Sequence, residues 1–146
     1  MFPTPEIQKE KLKAVLKYRW DVEADFWIPL DEISTTEEVV YFPQDFFITD
    51  FGLENLRSIV NKISRGQLFM WQWEVHPEEF YSIDLEGLAK YNLLEKYYFD
   101  ETCDWIIYLS HENTIAIGGQ KFIEKIIEKW PNWIMCLNSW YVNDSI

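Results

Sequence analysis

DWIIYLSHENTIAIGGQKFIEKIIEKWP, residues 104–131, switches its hydrophobic pattern once, from strand-like alternation to helical spacing. Asp104 to Leu109 places Trp105, Ile107 and Leu109 on one face of a strand. Thr114 to Ile117 supplies an antiparallel partner, and Ser110, His111, Glu112 and Asn113 fill the turn between them, so the segment predicts a β-hairpin. Gly118 and Gly119 then end the strand. Phe122, Ile123, Ile126, Ile127 and Trp130 line one face of a helix that Pro131 terminates, and Lys121, Glu124, Lys125, Glu128 and Lys129 occupy its polar face at supportive spacings. A hairpin followed at once by an amphipathic helix specifies helix packed on antiparallel sheet, the signature of an α+β domain.

The rest of the chain extends that pattern in both directions. Thr4 and Pro5 open a helix expected over Pro5 to Tyr18, with Ile7, Leu12, Val15 and Leu16 as its apolar stripe and Lys9, Lys13 and Lys17 as a solvated face. After Trp20 come short β-prone pieces, Phe26 to Ile28, Val39 to Phe42 and Phe46 to Ile48, separated by Pro29, Pro43 and polar clusters. Leu53, Leu56, Val60 and Ile63 recur at three and four, predicting a second helix to Ser64 with Asp50 as cap and Gly66 as left-handed terminus. Gln67 to Val75 reads as a central strand whose inner face carries Phe69, Trp71, Trp73 and Val75, and Phe80 to Ile83 as a shorter strand. Leu85 to Tyr97 gives mixed helical signals weakened by Gly87. Together these elements predict one α+β domain over 1–146, an antiparallel sheet of five or six strands with helices packed on one face.

Composition agrees with a single core. At 146 residues with 48% apolar and 26% charged side chains, the chain is too hydrophobic for disorder and too evenly interrupted for a membrane span. Folding at this length buries roughly two-thirds of the surface that the unfolded chain exposes. The eight Trp, eight Tyr and ten Phe are spread through the sequence, which marks most of them as core and leaves a few as interface anchors. No apolar signal core opens the chain, so a cytoplasmic location is expected. Cys103 and Cys136 stand apart and read as reduced thiols.

The net charge of −12 is unevenly placed. Residues 1–20 hold five bases and two acids, whereas residues 21–60 hold one base and ten acids. That field repels nucleic acid and anionic membrane and attracts basic proteins.

Chemistry-bearing motifs are sparse. His76 and His111 lie in no metal-ligating spacing, and no G-x-S-x-G elbow would activate Ser110, so neither a metal, a cofactor nor a catalytic set is expected. Gly118 and Gly119 precede a helix but fall short of a phosphate-binding fingerprint, and they read as a close strand-to-helix connection. His111 beside Glu112 reads as turn structure, because adjacent residues point in different directions.

The run Asp104 to Trp133 resembles a segment of small bacterial immunity proteins of polymorphic toxin systems. It covers about one fifth of the chain and is carried by Trp105, Tyr108, Ser110, His111, Glu112, Gly118 and Gly119. The resemblance implies a cytoplasmic binder, not an enzyme, that neutralises one cognate protein toxin, with these residues shaping the hairpin and its turn into the helix. The acidic surface suits a basic toxin. The expected docking surface is the stretch Asp21 to Glu54, above all Asp31, Glu32, Glu37, Glu38 and Asp45, with Tyr41 or Phe42 as anchor, in a monomer or small homo-oligomer. Two rival readings are a small-molecule-binding or enzymatic domain with an aromatic pocket near Trp71, Trp73 and His111, and a structural adaptor.

Overall fold

The computed structural model describes residues 2–22, 39–73, 77–89, 95–110 and 112–133, and of Tyr41 the backbone alone. The elements run β1 (Phe2–Pro3), α1 (Glu6–Trp20), β2 (Val39–Pro43), α2 (Gln44–Phe46) continuing into a π-turn (Phe47–Phe51), and α3 (Leu53–Ile63). They continue β3 (Leu68–Gln72), β4 (Glu79–Ile83), a 3-10 turn (Leu85–Gly87), β5 (Lys96–Asp100), β6 (Ile106–Leu109), β7 (Thr114–Gly118) and α4 (Gln120–Lys129). Among the described residues seven strands form one sheet in the order β1-β4-β3-β5-β6-β7-β2, every pairing antiparallel. The α+β class is as expected, with a sheet somewhat larger than five or six strands. No described helix is long and apolar enough to cross a membrane.

Side chains alternate across the pleat, so each strand feeds two separate cores. On one face Met70, Tyr98, Ile107 and Ile117 follow one another across β3, β5, β6 and β7, and α3 and α4 cover them with Leu56, Ile59, Val60, Phe122, Ile123 and Ile126. On the other face Phe69, Phe99 and Ile106 lie beneath Leu12, Leu16 and Trp20 of α1. The helices therefore pack on both faces of the sheet. The expectation of one covered face fails because β3 and β5 are covered on both sides: all ten of their residues are buried, Gln72, Lys96 and Asp100 among them.

The hairpin β6–β7 forms as read, with Leu109 opposite Ile115 and Tyr108 opposite Ala116. Gly118 and Gly119 make the close connection expected of them. A Cβ on Gly118 would stand 2.6 Å from Cζ3 of Trp20, and Gly119, at φ +119, holds its Cα where a Cβ would lie 3.0 Å from the Asp104 carbonyl oxygen. Glycine on β7 thus admits the Trp20 ring to the sheet.

Three local readings are corrected. Phe46 to Ile48 is helical, not a strand: Phe47 and Phe51, one turn apart, both reach Trp130, with ring centroids 5.4 Å from it in each case. Asp50 does not cap α3. Gly52, at φ +94, occupies that position, and the Asp50 carboxylate instead accepts the Trp130 indole N–H at 2.5 Å. On α1 the phase is rotated. Leu12, Leu16 and Trp20 are buried, Ile7 and Val15 are exposed, and Lys9 and Lys13 turn inward toward Glu78. Phe26 to Ile28 lies outside the described residues.

The turn between β5 and β6 is held by one carboxylate. Asp100, fully buried, accepts hydrogen bonds from the backbone N–H groups of Arg65, Thr102 and Cys103, from the Thr102 hydroxyl and from the Trp105 indole. Five donors satisfy the lone pairs of a charge that would otherwise be costly to bury. Cys103 is a free, buried thiol, and burial, with the Asp100 charge nearby, pushes it up to about 12, so it stays protonated at neutral pH.

Candidate docking face

At one end of the sheet the hairpin tip meets α2. Ser110 organises the tip: its Oγ accepts the Glu112 N–H at 2.9 Å, and its own N–H reaches the Thr114 carbonyl at 3.0 Å. Asn113 takes a left-handed conformation, φ 67, which asparagine tolerates well. Its carbonyl accepts the Gln44 N–H at 2.7 Å, and its side-chain amide donates to the Asp45 carboxylate at 3.2 Å. Gln44, itself buried, donates its side-chain amide to the Thr114 carbonyl. These bonds fix α2 to the hairpin, so Glu112 and Asp45 share one rim.

Phe46 follows at the apex. It is 43% exposed, and its ring lies 6.4 Å from that of Trp130. Asp45 precedes Phe46 on α2, Asp50 is tied to Trp130 below it, and Glu112 adjoins Asn113, which bonds Asp45; all three acids are exposed, and the Thr49 hydroxyl turns back onto the Asp45 carbonyl. Asn132 adds a hydrogen bond to the Asp50 carboxylate at 3.3 Å. The ring stands on a packed base: Phe42, Phe47 and Phe51 surround Trp130 beneath it. A π-turn directly after Phe46 widens the helix here, a departure that recurs at functional positions. The result is an exposed aromatic side chain over a packed aromatic base, with exposed carboxylates at the same end of the sheet.

Of the expected docking residues, the structure puts Asp45 on this rim. Asp31, Glu32, Glu37 and Glu38 lie outside the described residues, as do the Tyr41 side chain and His111. Phe42 is corrected: at 1% exposure it is a core residue, because strand alternation turns it onto the Trp130 cluster. On this face the exposed aromatic is Phe46, which a strand over Phe46 to Ile48 does not single out. Helical spacing of Phe47 and Phe51 was the available signal, since it turns Phe46 outward.

The aromatic pocket fares differently. Trp71 is buried in a ladder with Phe80, Tyr97 and Tyr108, centroids 6.0, 5.3 and 4.8 Å apart in turn, and its indole N–H is bonded to Glu78. Its ring is consumed by packing. Near the start of α1, an open cleft of about 270 Å³ is lined by Thr4, Gln8, Gln67, Phe69, Ser82 and Glu101 together with Pro3 and Pro5. That is below the usual range for a small-molecule site. Among the described residues no set of three His, Cys, Asp or Glu side chains could hold a metal ion.

No protein-family model, curated protein or solved structure matches this chain. The fold and the face define an α+β protein with an acidic, aromatic-tipped edge.

Proposed function

We propose that the chain is a protein-binding protein of the immunity type, acting in the bacterial cytoplasm to occupy and neutralise a cognate basic toxin. The observation that carries the reading is the exposed Phe46 ring over its packed aromatic base, with exposed Asp45, Asp50 and Glu112 at the same end of the sheet. An acidic rim accelerates encounter with a cationic partner, and a rigid aromatic anchor in a partner's pocket slows release. The net charge of −12 extends the same attraction over the whole surface. The resemblance of residues 104–133 to immunity proteins points the same way, since that segment builds the hairpin tip that holds Asp45.

The test is neutralisation. Expressed alone, the product of the gene directly upstream should stop growth, and co-expression of this chain should restore it. Phe46→Ala should weaken the purified complex about 30-fold, the scale of one anchor. Asp45→Lys with Glu112→Lys should mainly slow association and flatten its salt dependence. Growth that this chain does not restore would end the immunity reading, and a complex indifferent to both changes would move the docking surface elsewhere.

A further inference from the structure

Among the described residues five large hydrophobic side chains are exposed, and three of them, Ile7 at 75%, Val15 at 39% and Tyr18 at 90%, lie on α1. At about 100° per residue Ile7 and Tyr18 fall with exposed Lys11 and Ala14 on the side opposite Leu12, Leu16 and Trp20, and Val15 lies at the border between the two sides. Ile7, Lys11, Ala14 and Tyr18 are spaced four, three and four apart, the spacing of a helix–helix seam. Exposed Glu10 and Lys17 flank the seam on one side.

The charges choose the occupant. Lys9 is bonded to Glu6 and Glu78, Lys13 to Glu78 and Arg19 to Asp104, so these ions are engaged within the chain. Glu10, Lys11 and Lys17 have no opposite charge in contact among the described residues. We propose that the outer face of α1 pairs with the same face of a second copy, the two helices antiparallel about a two-fold axis. That register sets Ile7 against the partner's Tyr18 and Lys11 against the partner's Ala14, whose small side chain leaves room for the lysine stem. It also sets Glu10 beside the partner's Lys17, and symmetry repeats that ion pair. A parallel pair would instead oppose Lys11 to the partner's Lys11 at the centre and leave Glu10 and Lys17 unmatched. The surface is therefore complementary to itself in one orientation.

The seam is short, three turns or about 17 Å, less than a standard interface. Dimerisation should accordingly be weak, with Kd on the order of 100 μM. The docking face at Phe46 lies on the α3/α4 side of the sheet, so this pairing stands or falls separately from the proposed function.

Sedimentation equilibrium of the full chain from about 5 to 500 μM is the direct test. Average mass should rise from 17.7 kDa toward twice that value. Tyr18→Lys should hold the chain monomeric throughout, with circular dichroism unchanged because the residue is exposed. Glu10→Lys alone and Lys17→Glu alone should each weaken association about 3- to 10-fold, and the two together should restore it. A chain monomeric at 500 μM would overturn the proposal. So would a dimer indifferent to Tyr18→Lys, or single charge changes that the double change fails to rescue.

Discussion

Helices α1 and α4 do the same job on opposite faces of the sheet and do it by different means. α4 sends Phe122, Ile123 and Ile126 inward, ends on buried Trp130, and shows solvent mainly its charged residues. α1 divides its apolar residues: Leu12, Leu16 and Trp20 go to the core, while Ile7, Val15 and Tyr18 stay outside. Its inner edge is completed by Lys9 and Lys13 converging on Glu78, and Lys13 also lies 5.0 Å from the Trp71 ring centroid. A helix held partly by ions needs fewer apolar contacts and can leave a greasy face uncovered.

The largest expected effect tests what joins the two faces. Asp100 anchors Trp105, which packs under α4, and Cys103, which packs under α1. Asp100→Ala should cost about 3–5 kcal/mol, because several buried donors lose their acceptor at once. Chemical denaturation followed by tryptophan fluorescence should show both faces failing in one transition; loss of only one would mean the faces are energetically separate.

Next comes the α4 side alone. Trp130→Ala should cost about 3–5 kcal/mol as the cluster of Phe42, Phe47 and Phe51 loses its centre. It should also weaken any complex formed through Phe46 beyond what global stability explains, since the π-turn rests on that indole. Hydrogen exchange should localise the loosening to residues 44–51, with α1 protected as before.

On the α1 side the corresponding change adds an atom. Gly118→Ala would press a methyl against Trp20 at 2.6 Å and Ile106 at 2.9 Å, and should cost about 1–3 kcal/mol by overpacking. Thermal unfolding should report the loss, and the hairpin amides should remain protected.

How legible this was in the sequence differs between the two helices. The α4 segment could be read in full because its apolar and charged residues separate cleanly and Pro131 marks the end. α1 could be located but not oriented. Ile7 and Val15 look like core, and lysines look like solvent, until Glu78, some 65 residues from Lys13, supplies a partner that no local pattern shows. Phe46 to Ile48 reads as a strand for a similar reason, since its local β propensity is overruled by packing on distant Trp130. Of the candidate face, Asp45 and the turn of Ser110 and Asn113 are visible, whereas Phe46 shows only through the helical spacing of Phe47 and Phe51, which local β propensity obscures.

The smallest effect concerns that ion cluster. Burial alone would raise the Glu78 carboxyl, but hydrogen bonds from Lys13 and Trp71, with the neighbouring lysine charges, hold it below the ordinary 4.5. A depressed carboxyl stabilises the fold fully above about pH 4.5, and the contribution disappears as pH falls from there through the folded value. Glu78→Gln should therefore cost only about 0.5–1 kcal/mol at pH 7, since the group is partly exposed, and nothing once the carboxyl is protonated. Equal losses at pH 7 and pH 3 would assign the effect to packing and not to charge.

The outermost described strands have a consequence for solution behaviour. β1 is two residues long and includes Pro3, and β2 closes on Pro43, so at both margins the ladder ends on a residue with no amide hydrogen to offer. A sheet this rich in aromatic and branched residues would be a template for fibrillar stacking if its borders were long and open. Prolines at both borders deny an incoming strand a full set of donors, which favours association through helix α1 over growth by adding strands.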